Sequence, residues 1–210
     1  MNVSIIEYLK APCRACSIPY YKQKRTVIPD GMRIVHDDDY SPAEYADYID
    51  EPYFRLYHDM KAIGAKVSEA VEIVAATPDK TDLIVDTINA SYDDLTVTVE
   101  QMDGYRKTPE YDPDLWILLR SEHTGEYVGS GIADYDREIG ELSLEWIQVL
   151  SRYRGRGYGK TIVDDLLAKM SGIAKFATVS VKMNDPTNPI ALYRKCGFVG
   201  SDVWHILRKK

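Results

Sequence analysis

The residues with the clearest capacity for chemistry form a glycine-rich loop at positions 149–161. Its sequence, VLSRYRGRGYGKT, contains three glycines that alternate with Arg156 and Tyr158. The loop follows a strand-like run and precedes a helix-like run. Such a loop lets backbone N–H groups converge on a small anion at a helix N-terminus. The pattern therefore indicates a phosphate site, and we interpret it as the seat of a pyrophosphate.

Three known phosphate-loop patterns compete for this segment. A Walker A loop requires glycine at the position that Arg154 occupies. The dinucleotide fingerprint requires G-x-G-x-x-G after the first strand of a βαβ unit, whereas the glycines here are Gly155, Gly157 and Gly159, and they come late in the chain. The third pattern, Arg-x-x-Gly-x-Gly between a strand and a helix, is matched by Arg154, Gly157 and Gly159.

The strand that leads into the loop changes its alternation. Leu142, Leu144 and Trp146 share one parity, and Ile147 and Val149 then take the other. A phase switch between positions 146 and 147 is what a β-bulge produces. A strand buried on both faces accounts for the pattern equally well, so both interpretations stay open.

The elements that position this loop are predicted from residue 70 onward in the order β α α β β β α β α β. This order is typical of an α/β or α+β fold with an antiparallel meander in its middle. Residues 1–69 are predicted to be a separate N-terminal accessory region, with helices starting at Ser41 and spanning 52–63. An acceptor-site wall, a dimer surface and a cap over the core are the three uses left open for this region.

Charge is divided unevenly along the chain. Residues 150–210 carry 12 Lys and Arg against 4 Asp and Glu, while the preceding residues carry 14 against 29. A basic segment suits a polyanionic ligand, an acidic one suits a cationic ligand, and the balance disfavours nucleic acid. Three cysteines without a framework favour a reducing compartment. No signal peptide or membrane span is recognised, so a cytoplasmic location is expected.

Two segments together resemble the GNAT superfamily of acyl-CoA-dependent N-acetyltransferases. They are the strand and loop at 144–159, LEWIQVLSRYRGRGYG, and the later stretch at 188–198, NPIALYRKCGF. The resemblance covers residues 70–210 and does not extend to residues 1–69. It implies a mainly antiparallel central sheet flanked by helices, with the N-terminal region as an α/β extension.

The resemblance also implies a set of site residues. Acetyl-CoA would lie beside the bulged strand as co-substrate, and no metal is expected. Glu145 is the candidate base, with Glu141 as a weaker alternative, and Tyr193 is the candidate acid toward the CoA sulfur. The residues expected to bind acetyl-CoA are Ile147, Gln148, Val149, Arg154, Gly155, Arg156, Gly157, Tyr158, Gly159, Lys160 and Asn188.

The acceptor is less well defined than the donor. The acidic residues before the loop favour a cationic primary amine, either a small molecule or a peptide lysine or N-terminus. A non-catalytic acyl-CoA sensor or scaffold of the same fold is the alternative function. A homodimer is compatible with the sequence, which does not specify the oligomeric state.

Overall fold

The computed structural model describes residues 3–61, 63–64, 70–92 and 95–210. Within these ranges the α-helices are α1 (Ile5–Lys10), α2 (Pro12–Ala15), α3 (Tyr20–Gln23), α4 (Thr81–Asn89), α5 (Val99–Tyr105), α6 (Tyr158–Lys169) and α7 (Pro189–Lys195). The strands are β1 (Met32–His36), β2 (Tyr48–His58), β3 (Val71–Ala75), β4 (Trp116–Ser121), β5 (Tyr127–Asp136), β6 (Glu141–Val149), β7 (Phe176–Lys182) and β8 (Val199–Lys209).

The chain divides into two compact units. The terminal unit comprises Met1–Asp59 and Phe176–Lys210, and the central unit comprises Met60–Lys175. Every strand pairing within each unit is antiparallel among the described residues. The predicted mixed α/β fold with a mainly antiparallel sheet and flanking helices is confirmed. The expected domain boundary at residue 70 stays a prediction.

In the terminal unit the strands lie in the order β1-β8-β2-β7. Strand β2 is hydrogen-bonded on both sides, with Phe54 opposite Val181 on β7 and opposite Val203 on β8. The prediction of a helix over 52–63 was therefore wrong. The spacing of Phe54, Tyr57 and Met60 suits a helix, but aromatic residues also favour strands, and two distant partner strands decide the outcome.

The helix predicted to start at Ser41 is also wrong. Residues 42–47 form turns, in which Glu44 and Tyr45 both donate backbone N–H groups to the Ser41 carbonyl. A proline after a capping residue is compatible with one helical turn as well as with a full helix. Here the chain enters β2 at Tyr48 before a second turn can form.

In the central unit the strands lie in the order β6-β5-β4-β3. Helix α6 packs on β5 and β6, and two glycines of β5 permit the close approach. A Cβ on Gly131 would overlap the Cγ2 atom of Ile162, and one on Gly129 would lie 2.7 Å from the Gln148 carbonyl oxygen. Since α6 begins at Tyr158, within the glycine loop, this packing fixes the loop relative to β6.

A second core of the central unit lies between helices α4 and α5 and the sheet. Its buried members are Ala76, Ile84, Ile88, Val97, Met102, Trp116, Leu118 and Ile132. A helix of sufficient length and apolarity to cross a bilayer does not occur in the part of the chain that the structure describes.

Candidate functional site

Strand β6 contains the bulge that the alternation indicated. Ile132 pairs with Trp146, and the next residue, Ala133, pairs with Leu144. Glu145 is therefore the extra residue of β6, one position before the sequence phase switch. A bulge bends its strand and interrupts the ladder locally. Because Glu145 occupies that position, the local backbone geometry sets the direction of its side chain.

The carboxylate of Glu145 is held by a neighbour on its own strand. Ser143 Oγ donates a hydrogen bond of 2.6 Å to Glu145 Oε1. Glu145 is partly exposed, whereas the alternative base Glu141 is fully buried. A proton acceptor for a diffusible substrate has to be reachable, so accessibility favours Glu145 over Glu141.

The three residues after the bulge differ in orientation. Ile147 and Val149 are partly exposed and pair with Gly131 and Gly129 of β5. Gln148 is buried, and its Nε2 group donates to Ser130 Oγ. The Gln148 side chain therefore binds inside the central unit, and its backbone pairs with Ser130 of β5. The expectation that Gln148 contacts acetyl-CoA stays a prediction that these contacts do not favour.

The glycine loop forms an open end at the start of a helix. Gly155 and Gly157 have φ angles of +77° and +85°, a region that L side chains rarely adopt. Gly157 is the N-cap of α6, and no side chain caps this helix. The first N–H groups of an α-helix lack intrahelical acceptors, and the helix dipole is positive there. The loop thus presents donors suited to an anion, beginning with those of Tyr158, Gly159 and Lys160.

The cations around the loop have partners of their own. Arg154 Nε donates to the Val149 carbonyl at 3.0 Å, and its Nη2 donates to the Ser91 carbonyl at 3.3 Å. Lys160 forms an ion pair with Asp164 one turn along α6. These contacts brace the loop while keeping positive charge beside it. Direct phosphate contact by Arg154 and Lys160 stays a prediction.

Tyr153 organises the other side of the loop. The Arg152 and Arg156 guanidinium carbons lie 5.1 and 5.3 Å from its ring centroid, within cation–π range. Its hydroxyl hydrogen-bonds the Glu126 carboxylate. An open depression of about 500 Å³ adjoins it, lined by Ala70, Ser121, Glu122, His123, Thr124, Tyr153, Arg156 and Tyr158.

The remaining candidates belong to the terminal unit. Tyr193 is 7% exposed, on α7, and its ring packs edge-on against Phe198 with centroids 5.6 Å apart. Asn188 is the N-cap of α7 with a left-handed φ of +50°, and its side chain makes no capping bond. Capping therefore does not occupy the Asn188 side chain, and its contact with acetyl-CoA stays a prediction.

Sequence reasoning missed two residues beside Glu145. Asp134 on β5 and Trp116 on β4 border the same narrow crevice, and both are buried. The sequence signal that could have found Asp134 was the alternation of Ile132, Asp134 and Asp136 along β5. The residues between them are also mostly buried, which weakens that signal.

The carboxyl group of Asp136 lies on the same strand. Burial raises its pKa, and hydrogen bonds from the backbone of Glu138 and Ile139 partly offset that shift.

Comparisons with known proteins bear on the family and the fold of the chain. The model of the acetyltransferase (GNAT) family matches residues 84–198. The structure of a GCN5-related N-acetyltransferase from Sphaerobacter thermophilus is similar, with a TM-score of 0.70 and 16% sequence identity. The match covers 90% of this chain and 63% of the Sphaerobacter chain. The Escherichia coli ribosomal-protein-S18-alanine N-acetyltransferase has a TM-score of 0.51 at 17% identity, covering 66% and 93%.

A third similar structure is Ard1 from Thermoplasma volcanium, with a TM-score of 0.54 at 18% identity, covering 67% of this chain and 97% of its own. None of the curated proteins compared with the chain matches it. The chain thus spans less than two thirds of the Sphaerobacter protein, and at these identities the structural likeness concerns the fold.

Proposed function

The chain belongs to the GNAT acetyltransferase family, and we propose that it is an acyltransferase that transfers the acetyl group of acetyl-CoA to a primary amine. The transfer takes place by direct attack in a ternary complex. The observation that carries the proposal is the pairing, on one continuous segment, of a bulge at Glu145 with an uncapped helix start at Gly157.

The loop fits the donor's pyrophosphate. The N–H groups of residues 155–160 would bind it, because the start of α6 has no side-chain cap and its dipole favours an anion. Apart from the adjacent residues, no atom in the described part of the chain lies within 4 Å of a Cβ built on Gly155 or Gly157, so the loop surface is open. Backbone groups of Ile147 and Val149 would bind the pantetheine arm beside the bulge.

The reaction requires two proton movements. An amine is mostly protonated at neutral pH and must lose a proton before its lone pair attacks the thioester carbonyl. The new C–N bond forms, the C–S bond breaks, and the nitrogen loses a second proton. One proton ends on the CoA thiol and the other reaches solvent. Glu145 accepts the proton of the attacking ammonium, and Tyr193 supplies one to the leaving sulfur.

The acceptor is a cationic amine. The charge of the segment before the loop supports this, since its 29 acidic residues outnumber 14 basic ones. An acidic surface concentrates cations and speeds their encounter with the site, and salt screens the effect. The sequence has only three cysteines and no regular spacing that would suggest a disulfide framework, which supports placing the protein in the reducing cytoplasm.

The proposal is tested by the release of free thiol from acetyl-CoA in the presence of a panel of primary amines. We expect thiol to appear only when an amine is present, and to increase with its concentration. Binding of CoA without turnover on any amine would contradict the enzyme and favour a non-catalytic acyl-CoA module. Thiol release that is independent of amine would indicate a hydrolase instead.

A further inference from the structure

A narrow crevice in the central unit lies against the bulge. It is lined by Tyr105, Trp116, Ile132, Asp134, Glu145 and Trp146. Its volume of about 10 Å³ is close to the minimum of about 10–15 Å³ that a single water requires. Two of its lining groups are carboxylates, from adjacent strands β5 and β6. The crevice therefore has the size of one small polar group.

One of the lining residues, Trp116, carries a buried hydrogen-bond donor. Trp116 is fully buried, and its indole Nε1 has no hydrogen-bond partner among the described residues. A buried N–H without an acceptor costs about 1–3 kcal/mol. The ring itself has other contacts, with the Arg106 guanidinium 4.3 Å from its centroid and Tyr111 edge-on. These contacts pack the ring but provide no hydrogen-bond acceptor for the indole N–H.

The hydrogen-bonding capacity of the crevice selects its occupant. An ammonium group has donors only and cannot accept the Trp116 N–H bond. A chloride ion accepts that bond but meets the carboxylates of Asp134 and Glu145. Water accepts one bond and donates two, which matches one indole donor and two carboxylate acceptors.

We propose that the crevice holds one structural water, which accepts from Trp116 Nε1 and bridges the carboxylates of Asp134 and Glu145. This inference rests on the proposed function for its consequence. When Glu145 takes the proton of the attacking amine, the water passes one proton on to Asp134 and receives one from Glu145, so its own composition is unchanged. Asp134 is a positioning residue that shares the proton without touching the substrate.

The water is tested directly, without any activity measurement. A crystal structure of the full chain at about 1.5 Å or better should show a water within about 2.6–3.2 Å of Trp116 Nε1 and of one oxygen from each carboxylate. Trp116→Phe keeps an aromatic ring, although a smaller one, and removes the indole N–H donor. The water should then be lost or displaced. A crevice without such a water in the wild-type crystal would overturn the proposal.

The proton-sharing role is tested by a double-mutant cycle. Glu145→Gln should lower kcat by about 10²-fold or more, and Asp134→Asn by about 10-fold with unchanged CoA affinity. Because both act on one proton, the double variant should be no slower than Glu145→Gln alone. Multiplicative effects, or a full kcat in Asp134→Asn, would overturn the role of Asp134.

Asp136→Asn is the matched control for this cycle. Asp136 lies two residues further along β5 and is buried, but it does not border the crevice. It should change kcat by less than about 2-fold in either background. Failure of the proposed function can be told apart from failure of the water proposal. In the first case wild-type protein would release no thiol with any amine, whereas the crystal structure tests the water independently of activity.

Discussion

Gly131 of β5 lies so close to Ile162 of α6 that a Cβ on the glycine would overlap the isoleucine Cγ2 atom. This contact sets the spacing between the sheet and α6, the helix whose first turn ends the glycine loop. The same Gly131 pairs with Ile147 on β6. One glycine thus relates the loop to the strand that carries Glu145.

Gly131→Ala is therefore expected to destabilise the protein. Overpacking of a well-packed core costs about 1–3 kcal/mol, because side chains or backbone must shift. The measurement is the free energy of unfolding in urea. Gly104→Ala is the control. Gly104 lies in α5, and beyond its own helix backbone and chain neighbours no atom of the described residues lies within 4 Å of the added Cβ. That change should stabilise by about 0.5–1 kcal/mol, and equal effects of the two substitutions would refute the packing argument.

Gly157→Ala is expected to weaken CoA binding beyond its cost in stability. The residue has a φ of +85°, so any side chain adds strain of about 1–2 kcal/mol. Among the residues that the structure describes, none except the chain neighbours has an atom within 4 Å of the new Cβ, so a further loss of affinity arises at the ligand surface. Calorimetric titration with CoA measures that loss.

Gly172→Ala provides the comparison for Gly157→Ala. Gly172 has a φ of +74° and the same open surroundings, but it follows the far end of α6. It should lose similar stability and keep its CoA affinity. If Gly157→Ala and Gly172→Ala bind CoA equally well, the assignment of the loop to the pyrophosphate fails.

Tyr193→Phe is expected to lower kcat by about 10-fold or more while the dissociation constant for CoA stays within about 2-fold, because the hydroxyl acts on the leaving sulfur. Steady-state kinetics and calorimetry separate the two quantities. Tyr135→Phe is the control, since its hydroxyl donates to the Ile173 carbonyl at 3.3 Å. An unchanged kcat in Tyr193→Phe would remove the acid role from this residue.

Asp136 predicts a pH dependence of stability. Burial raises the pKa of its carboxyl above the ordinary value of 3.8, and the nearby carboxylates Glu138 and Glu110 add to the shift. The folded state therefore binds more protons than the unfolded state between 3.8 and the raised pKa, and stability falls as pH rises through this window. The amide side chain that Asp136→Asn introduces cannot ionise. The free energy of unfolding of this variant should therefore rise relative to that of wild type between pH 4 and pH 7.

Urea unfolding of both proteins at several pH values measures this difference. Asp30→Asn, at an exposed position in a turn, is the control and should leave the pH dependence of wild type in place. A constant difference between wild type and Asp136→Asn across the range would contradict the raised pKa.

The sequence predicted the elements whose signals are local. Helix α4 (Thr81–Asn89) is the first helix in the order predicted from residue 70, and the loop, α6 and the bulge all follow from residues close together in the chain. Strand β2 could not be found in this way, because its conformation depends on β7 and β8, more than a hundred residues later. A helical spacing of aromatic residues competes poorly with two ladders of hydrogen bonds.

The same contrast between local and long-range signals applies to the candidate site. Glu145 and the glycines stand in one continuous segment and were selected from it. Asp134 and Trp116 come together with Glu145 only through the antiparallel pairing of three strands. The buried hydrogen bond from Gln148 to Ser130 likewise depends on the register of β5 against β6, which a linear pattern does not specify.

The most direct test of acetyl transfer is a mass balance in a single turnover. Enzyme is mixed with an equimolar amount of acetyl-CoA and an excess of a primary amine, and the amine, CoA and intact protein are followed by mass spectrometry. Direct transfer should give equal amounts of N-acetylated amine and free CoA, with no change in protein mass at any time. Acetylated protein that accumulates before the product, or free CoA without acetylated amine, would contradict direct transfer.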